Sequence, residues 1–397
     1  MTSTTFGQWK ATPAKLALLA LFLAAVAISV YRLFVGLGGV TNLSDTTPWG
    51  LWKAWDVIVV VPLGASGFTM AFVRYFLKAD KYEYIMRRSV VWAAICYISM
   101  GARLMFDIGL PWRLPYPLVF WGNIHSALFE VAWCVALYLI VLFVENIPRL
   151  TERISAQWAH KFEHAIHWVA PGFVLFGVLL SSMHQSSLGT LYMIAGKRVD
   201  PLWYHPWLNY IYLLTAIAAG LSVTILIEWA ASRIYKTPFQ GALLSKLGAA
   251  VGVALGVAFV WRLGSMAAEG SFGEVFRSDI SAYLWWAEML VGYVLPLALL
   301  SRGAWRADKS KLALAAAAVV YGMISLRMNV VFTGMNKAMG AAGYWPSLLE
   351  WLFSIGFTAG TLVIFTIMAE KLPGVIGDRV QTLVKPVAKP VRKAAAD

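Results

Sequence analysis

Ser181-Ser-Met-His184-Gln-Ser-Ser-Leu-Gly189 closes an apolar run that begins near Trp168. An imidazole, an amide and four hydroxyls therefore stand where a membrane helix is expected to leave the lipid. Polar groups are costly there unless they serve a partner, an ion or a ligand. Other apolar runs carry ionisable residues at a similar depth, so the pattern reads as one polar pocket inside a helical membrane protein.

The composition agrees. Of 397 residues, 60% are hydrophobic and 13% charged, a balance outside the range of soluble domains. Runs able to cross a hydrocarbon core of ~30 Å, which takes roughly 20 residues, fall near 15–36, 50–77, 89–109, 121–145, 165–184, 207–230, 243–266, 280–301, 311–331 and 348–370. The expected fold is an all-α integral membrane protein of about ten transmembrane helices, a single polytopic domain over 1–370 with a basic tail over 371–397. Alternating strand patterns are absent, which argues against an outer-membrane barrel. The first run ends in Tyr31-Arg32 without a small-residue cleavage site and reads as an anchor. Cys96 and Cys134 lie inside apolar runs and supply no disulfide, zinc or iron-sulfur motif.

The net charge of +13 follows from topology rather than from a nucleic-acid partner. Lysine and arginine gather in the N-terminus, the even-numbered links and the tail, whereas the odd-numbered links hold Arg113, Lys197, Arg198, Arg277 and Lys337. By the positive-inside rule both termini are expected in the cytoplasm and His184 toward the outside. The outer links carry Thr47-Pro-Trp-Gly50, Leu110-Pro-Trp-Arg-Leu-Pro-Tyr-Pro117, a long stretch over 185–206 and Gly340-Ala-Ala-Gly-Tyr-Trp-Pro346. Aromatic, proline-rich links on one side suit a docking surface, although an interfacial belt accounts for many of the tryptophans.

Within the membrane, at 1.5 Å per residue, Asp56 is expected about 10 Å and Glu130 about 13 Å below the outer surface. Glu288, Arg103, Asp107, Arg262 and Arg327 share that outer half. Lys53 and Asp56 are three apart and Arg103 and Asp107 four apart, spacings that put each pair on one helix face. Arg327 and Arg262 would balance Glu288 and Glu130, and Arg103 has the fork to hold a deep carboxylate or an anionic ligand. Asn123 and Ser126 precede Glu130, with Cys134 and Tyr138 beyond, in a polar stripe. An acid at that depth is suited to relaying protons. A bis-histidine haem needs two facing imidazoles. Of His125, His160, His164, His167, His184 and His205, only His125 and His184 suggest such a pair, so at most one haem fits, and no metal-ligand motif appears. Arg103 precedes Glu130 much as Arg262 precedes Glu288. That faint duplication suggests two four-helix bundles, helices 2–5 (about 50–190) and 6–9 (about 207–331), with helices 1 and 10 peripheral.

Trp49-Gly-Leu-Trp52, Ala54-Trp-Asp56, Asp107-Ile-Gly109, Leu128-Phe-Glu130, Met183-His-Gln-Ser-Ser-Leu-Gly189, the 196–203 segment ending Asp-Pro-Leu-Trp, and Ser354-Ile-Gly-Phe357 together resemble the NrfD family, the polysulfide reductase membrane subunits, and within it the HybB-type subunits of nickel-iron hydrogenases. The resemblance runs from about residue 30 to 370. It implies a quinone-reactive anchor without haem or metal of its own, in the bacterial inner membrane, with its site toward the periplasm. Menaquinone or ubiquinone would be the substrate. A periplasmic ferredoxin-like iron-sulfur subunit, and behind it the nickel-iron hydrogenase small and large subunits, would be the partners. On the resemblance, Asp56 and His184 hydrogen-bond the quinone oxygens and Glu130 handles protons. Gln185 and Arg103 complete the expected quinone-binding set; Asp107, Asn123, Ser126 and Glu288 complete the proton-transfer set, with Lys53, Arg262 and Arg327 as charge partners. Quinone reduction takes two electrons and two protons, and a histidine and a carboxylate exchange protons at physiological pH. The same scaffold also suits a quinol-oxidising subunit of another periplasmic reductase or multihaem cytochrome complex. A proton-coupled transporter is the alternative of another class, although transporters usually break their helices at mid-membrane.

Overall fold

The computed structural model describes residues 11–151, 157–339, 343–371 and Val375. Ten long helices succeed one another among them: α1 (Pro13–Val35), α2 (Leu51–Tyr75), α3 (Glu83–Asp107), α4 (Ala127–Thr151), α5 (Gln157–Ala195), α6 (Leu208–Ile234), α7 (Gly241–Ala268), α8 (Ile280–Ser301), α9 (Lys309–Gly334) and α10 (Leu348–Lys371). By length and composition α1 to α4 and α6 to α10 are each able to cross a membrane. The run expected over 165–184 lies within α5, which also carries the polar Ser181–Gly189 block. No strand occurs among the described residues.

Local chemistry sets the helix ends. Pro13 opens α1 behind Thr12, whose hydroxyl accepts from Lys15 N, and Asp279 and Asp308 cap α8 and α9 through main-chain N–H groups at 2.8–2.9 Å. Three helices contain a π turn, over Ala54–Val60, Leu290–Val294 and Asn329–Gly334. Asp56 lies inside the first, Glu288 just before the second and Asn329 opens the third. A π turn widens the backbone and shifts the register of the helical turns beyond it, and such turns recur at functional sites.

Two expectations about element limits change. The stretch after His184 is not a loop: α5 continues to Ala195, which sets His184 about 17 Å inside the helix end rather than at it. The hydroxyls of Ser186, Ser187 and Thr190 bond back to main-chain carbonyls of the same helix, so these three are satisfied without unwinding it. Gly196, at φ +58°, ends it. Conversely, α4 begins only at Ala127. Residues 120–126 form an exposed, non-helical approach, so Glu130 stands about 5 Å below the helix start instead of about 13 Å. Hydropathy alone could not separate those apolar link residues from the helix they precede.

Each of α2 to α5 packs on the next, and α5 returns to α2; α6 to α9 close on themselves in the same way. The two groups join where α6 packs on α2 and α5, and where α9 meets the π turn of α2. At the α2–α6 crossing a Cβ on Gly220 would meet Ser66 N and Ala65 C at 2.7 Å. α1 lies on α10. α10 also reaches inward, stacking Phe353 on Trp52 with ring centroids 3.9 Å apart. The packing is inverted relative to a soluble protein: Arg88, Arg103, Arg262 and Arg327 are fully buried, while Phe34, Ile98, Phe143, Val253 and Val260 face outward, as a lipid solvent demands. Most of the basic tail, the link residues Arg153 and Lys161, and His160, His164 and His167 fall outside the described residues or side chains.

Replacing Gly220 by Ala sets a methyl group against main chain that cannot move aside. It should lower the thermal unfolding midpoint by the equivalent of about 1–3 kcal/mol. Gly264→Ala, where nothing lies within 4 Å, should leave the midpoint unchanged or raise it.

Candidate functional site

Asp56 and Arg103 are both wholly buried and bonded to each other, Arg103 Nη1 donating to Asp56 Oδ1 at 2.8 Å. Arg103 Nη2 donates to Thr361 Oγ1 at 3.0 Å, and Thr361 in turn bonds Ser99 at 2.8 Å. The guanidinium lies 5.5 Å from the centre of the Phe357 ring. Lys53 Nζ stands 3.3 Å from Asp107 Oδ2. The pairs expected within each helix are thus replaced by pairs between helices. α2 and α3 run antiparallel, so the basic residue of each meets the acidic residue of the other. Asp56 Oδ2 keeps no hydrogen-bond partner.

The second group lies deeper. Tyr97 Oη and His184 Nε2 are 2.5 Å apart, and Gln185 Nε2 lies 3.5 Å from the same nitrogen. Tyr138 closes the cluster, its ring 4.7 Å from Tyr97 and 6.0 Å from His184. Tyr97 is six residues before Arg103 on α3, about 9 Å along the axis, so the two groups flank one helix without touching. Glu130, half-buried, begins a face that continues through buried Cys134 and Tyr138. Asn123 and Ser126 do not extend that stripe: Asn123 is exposed with its Oδ1 accepting from His125 N, and Ser126 O accepts from Glu130 N.

An apolar cleft of about 300 Å³ opens between α3, α4 and the link over 114–118. Val57, next to Asp56, Leu104, next to Arg103, and Val131, next to Glu130, line it together with Leu118 and Leu139. A polar recess of similar volume, with Lys53 and Asp107 on its floor, lies under the link over 37–50.

Glu288 differs from Asp56 in being saturated. Arg262 Nη1 donates to one oxygen, while Trp203 Nε1 and Asn329 Nδ2 each donate to the other at 2.9 Å. Arg262, not Arg327, therefore pairs with Glu288, and Arg103 pairs with Asp56. The Arg103–Glu130 spacing that suggested a duplication has no counterpart in pairing. Arg327 contacts no carboxylate among the described residues; its Nη2 donates to Tyr212 O at 2.8 Å.

The expected pair, His125 and His184, does not meet as a bis-histidine haem needs. His184 Nε2, the atom an iron would need, is held by Tyr97, and its ring is enclosed by Tyr97 and Tyr138, while His125 is exposed in the approach to α4. No group of three or more metal-ligating side chains occurs among the described residues.

Residues with no prior signal complete the arrangement. Tyr97 and Thr361 carry hydroxyl groups common in any membrane helix, so only tertiary contact singles them out. Glu350, fully buried in the first turn of α10, accepts from Asn42 N, Ser347 N and Tyr344 Oη. Burial, then that bond, pushes the Tyr344 phenol above its ordinary value.

A double-mutant cycle on Asp56→Ala and Arg103→Ala should return a coupling of about 2 kcal/mol, and one on Arg103 and Asp107 a value near zero. Strong coupling in the second cycle and none in the first would restore the pairing within the helix.

Comparison with known proteins supplies the family. The sequence model described as "Polysulphide reductase, NrfD" matches residues 39–338. A Nitratidesulfovibrio vulgaris protein is 30% identical over 91% of this chain and 94% of its own. The "Probable Ni/Fe-hydrogenase 2 b-type cytochrome subunit" of Escherichia coli K12 is 30% identical over 89% of this chain and 90% of its own. The "Menaquinone reductase, integral membrane subunit" of N. vulgaris is 27% identical over 87% of both chains. With the matched model spanning most of the described helices, this multi-pass membrane chain belongs to the NrfD family.

Proposed function

We propose that the chain is the quinone-reactive membrane subunit of a respiratory oxidoreductase complex, passing electrons from an iron-sulfur partner to menaquinone or ubiquinone. The observation that carries this reading is the apolar cleft lined by Val57, Leu104 and Val131, the sequence neighbours of Asp56, Arg103 and Glu130. An apolar recess beside a few polar groups is the general form of a small-molecule site, and a prenylated ring needs both. The relatives named for a hydrogenase and for a menaquinone reductase support it.

Asp56, with one oxygen fixed by Arg103 and the other unpartnered, is suited to bonding one quinone oxygen. His184, held by Tyr97 and flanked by Gln185 with its unpartnered Oε1, is suited to the other. Reduction consumes two protons, and Glu130, at the outer mouth of the face leading through Cys134 to Tyr138, is the acid assigned to deliver them. Asp107, tied to Lys53 under the polar recess, borders that entry. Glu288, held by three donors, is assigned to bracing. Electrons come from the partner's cluster, a periplasmic ferredoxin-like subunit of a nickel-iron hydrogenase in this reading. Exposed Trp112, Trp121, Phe276 and Trp345, all on odd-numbered links, form its landing surface. The orientation assigned is that of the bacterial inner membrane, with both termini cytoplasmic and the site toward the periplasm; protons taken up through Glu130 then come from the periplasmic side, so coupled proton translocation would require a further path from the cytoplasm.

Purifying the intact complex in mild detergent and adding hydrogen should reduce a menaquinone analogue; co-purification of a different catalytic chain with no hydrogen activity would reassign the partner. His184→Ala should lower quinone-linked turnover about 100-fold or more while the partner still reduces a soluble dye; loss of both would make His184 a folding residue. Glu130→Gln keeps the volume but removes the exchangeable proton, so quinone turnover should fall about 100-fold. Unchanged turnover and proton uptake would leave Glu130 structural.

A further inference from the structure

The second group of helices holds a positive charge that the described residues leave uncompensated. Arg327 on α9 is fully buried. Its guanidinium lies 4.2 Å from the centre of the Tyr212 ring, and apart from the bond to Tyr212 O its Nε and Nη1 have no hydrogen-bond partner. Arginine keeps its proton in proteins, so the charge cannot be shed. The acid of this region, Glu288, is committed to Arg262, Trp203 and Asn329. Arg262 and Glu288 cancel, and one positive charge remains.

Around Arg327 stand donors without acceptors. The hydroxyls of Tyr192 and Tyr212 are buried and unbonded, and these phenols, with that of Tyr293, interact electrostatically with the guanidinium. The Tyr192 and Tyr212 rings are 6.5 Å apart. The ring face beneath the guanidinium offsets part of its desolvation. Water would satisfy the hydrogen bonds but not the charge, and burying an unpaired charge is the costlier fault. An acceptor that carries a negative charge answers both.

We propose that this cage, between α5, α6 and α9, binds a small monovalent anion of the halide class, held by Nε–H and Nη1–H of Arg327 and the hydroxyls of Tyr192 and Tyr212. Tyr192 is eight residues beyond His184 on α5, about 12 Å along the helix; the Arg327 charge acts on the His184 ring, but none of the proposed anion donors belongs to the Tyr97–His184 pair, so the inference does not depend on the quinone reading.

Bromide is the probe. The full-length protein, in its complex where one co-purifies, is unfolded thermally as sodium bromide replaces sodium gluconate at constant ionic strength, and crystals grown in bromide are measured at the bromine edge. The midpoint should rise and saturate with bromide, with a bromine peak between Arg327 and Tyr212. Arg327→Met removes the charge at similar volume; it should be at least as stable as the natural protein in gluconate and indifferent to bromide. Arg327→Lys keeps the charge with fewer donors and should respond only at several-fold higher bromide. A midpoint flat in bromide with no bromine peak means the cage holds water alone and overturns the proposal. A bromide response that persists in Arg327→Met means a general salt effect and overturns it equally. Should Arg327→Met fail to fold, the bromine peak and the lysine variant decide.

Discussion

Arg103 carries a charge it cannot lose, in a place where neither water nor lipid can answer it. Its neighbours therefore have to. Asp56 comes from α2, Thr361 and Phe357 from α10, and Ser99 supports Thr361 from α3 itself. Removing water from both members of an ion pair costs several kcal/mol per ion, and only close geometry with further hydrogen bonds recovers it. One guanidinium thus holds three helices in register. The π turn over Ala54–Val60 belongs to the same constraint, since it sets the register of the segment that bears Asp56.

Asp56 and Glu288 differ in how completely they are satisfied. Glu288 has donors on both oxygens, and such a carboxylate is a brace. Asp56 keeps one oxygen unbonded, and its sequence neighbour Val57 lines the apolar cleft between α3 and α4. In the first half Asp56 Oδ2 and Gln185 Oε1 are buried acceptors left unbonded. In the second half the surplus is of the opposite kind, donors and positive charge gathered about Arg327.

The polar block around His184 illustrates how a membrane protein hides functional groups without breaking its helix. Serine and threonine hydroxyls bond to carbonyls three or four residues back, which neutralises them and frees the helix to continue past a histidine and a glutamine. Because the segment is soluble in its own backbone, its apolarity falls while its secondary structure persists. Hydropathy therefore reported a helix end where the chain continues for three more turns. The error at α4 has the opposite sign and a related cause: Phe120, Trp121 and Ile124 are apolar enough to extend a run, yet they lie exposed in a link.

The sequence by itself determined the class of the molecule: length, apolar runs, charged residues confined to a few depths, and motifs that resemble one family. Those features are one-dimensional, because a helix satisfies its own backbone and a bilayer filters each helix separately by composition. Which charge meets which was decided only by tertiary structure. Lys53 and Asp56 have the spacing of a local pair, and so do Arg103 and Asp107, but two antiparallel helices offer each charge a partner across the interface as well as along its own axis. Burial favours the geometry with the least residual charge and the closest bonds, and that choice depends on the packing of α2, α3 and α10 together. The same holds for Tyr97 against His184 and for Arg327, whose isolation appears only when every neighbouring carboxylate has been assigned to another donor.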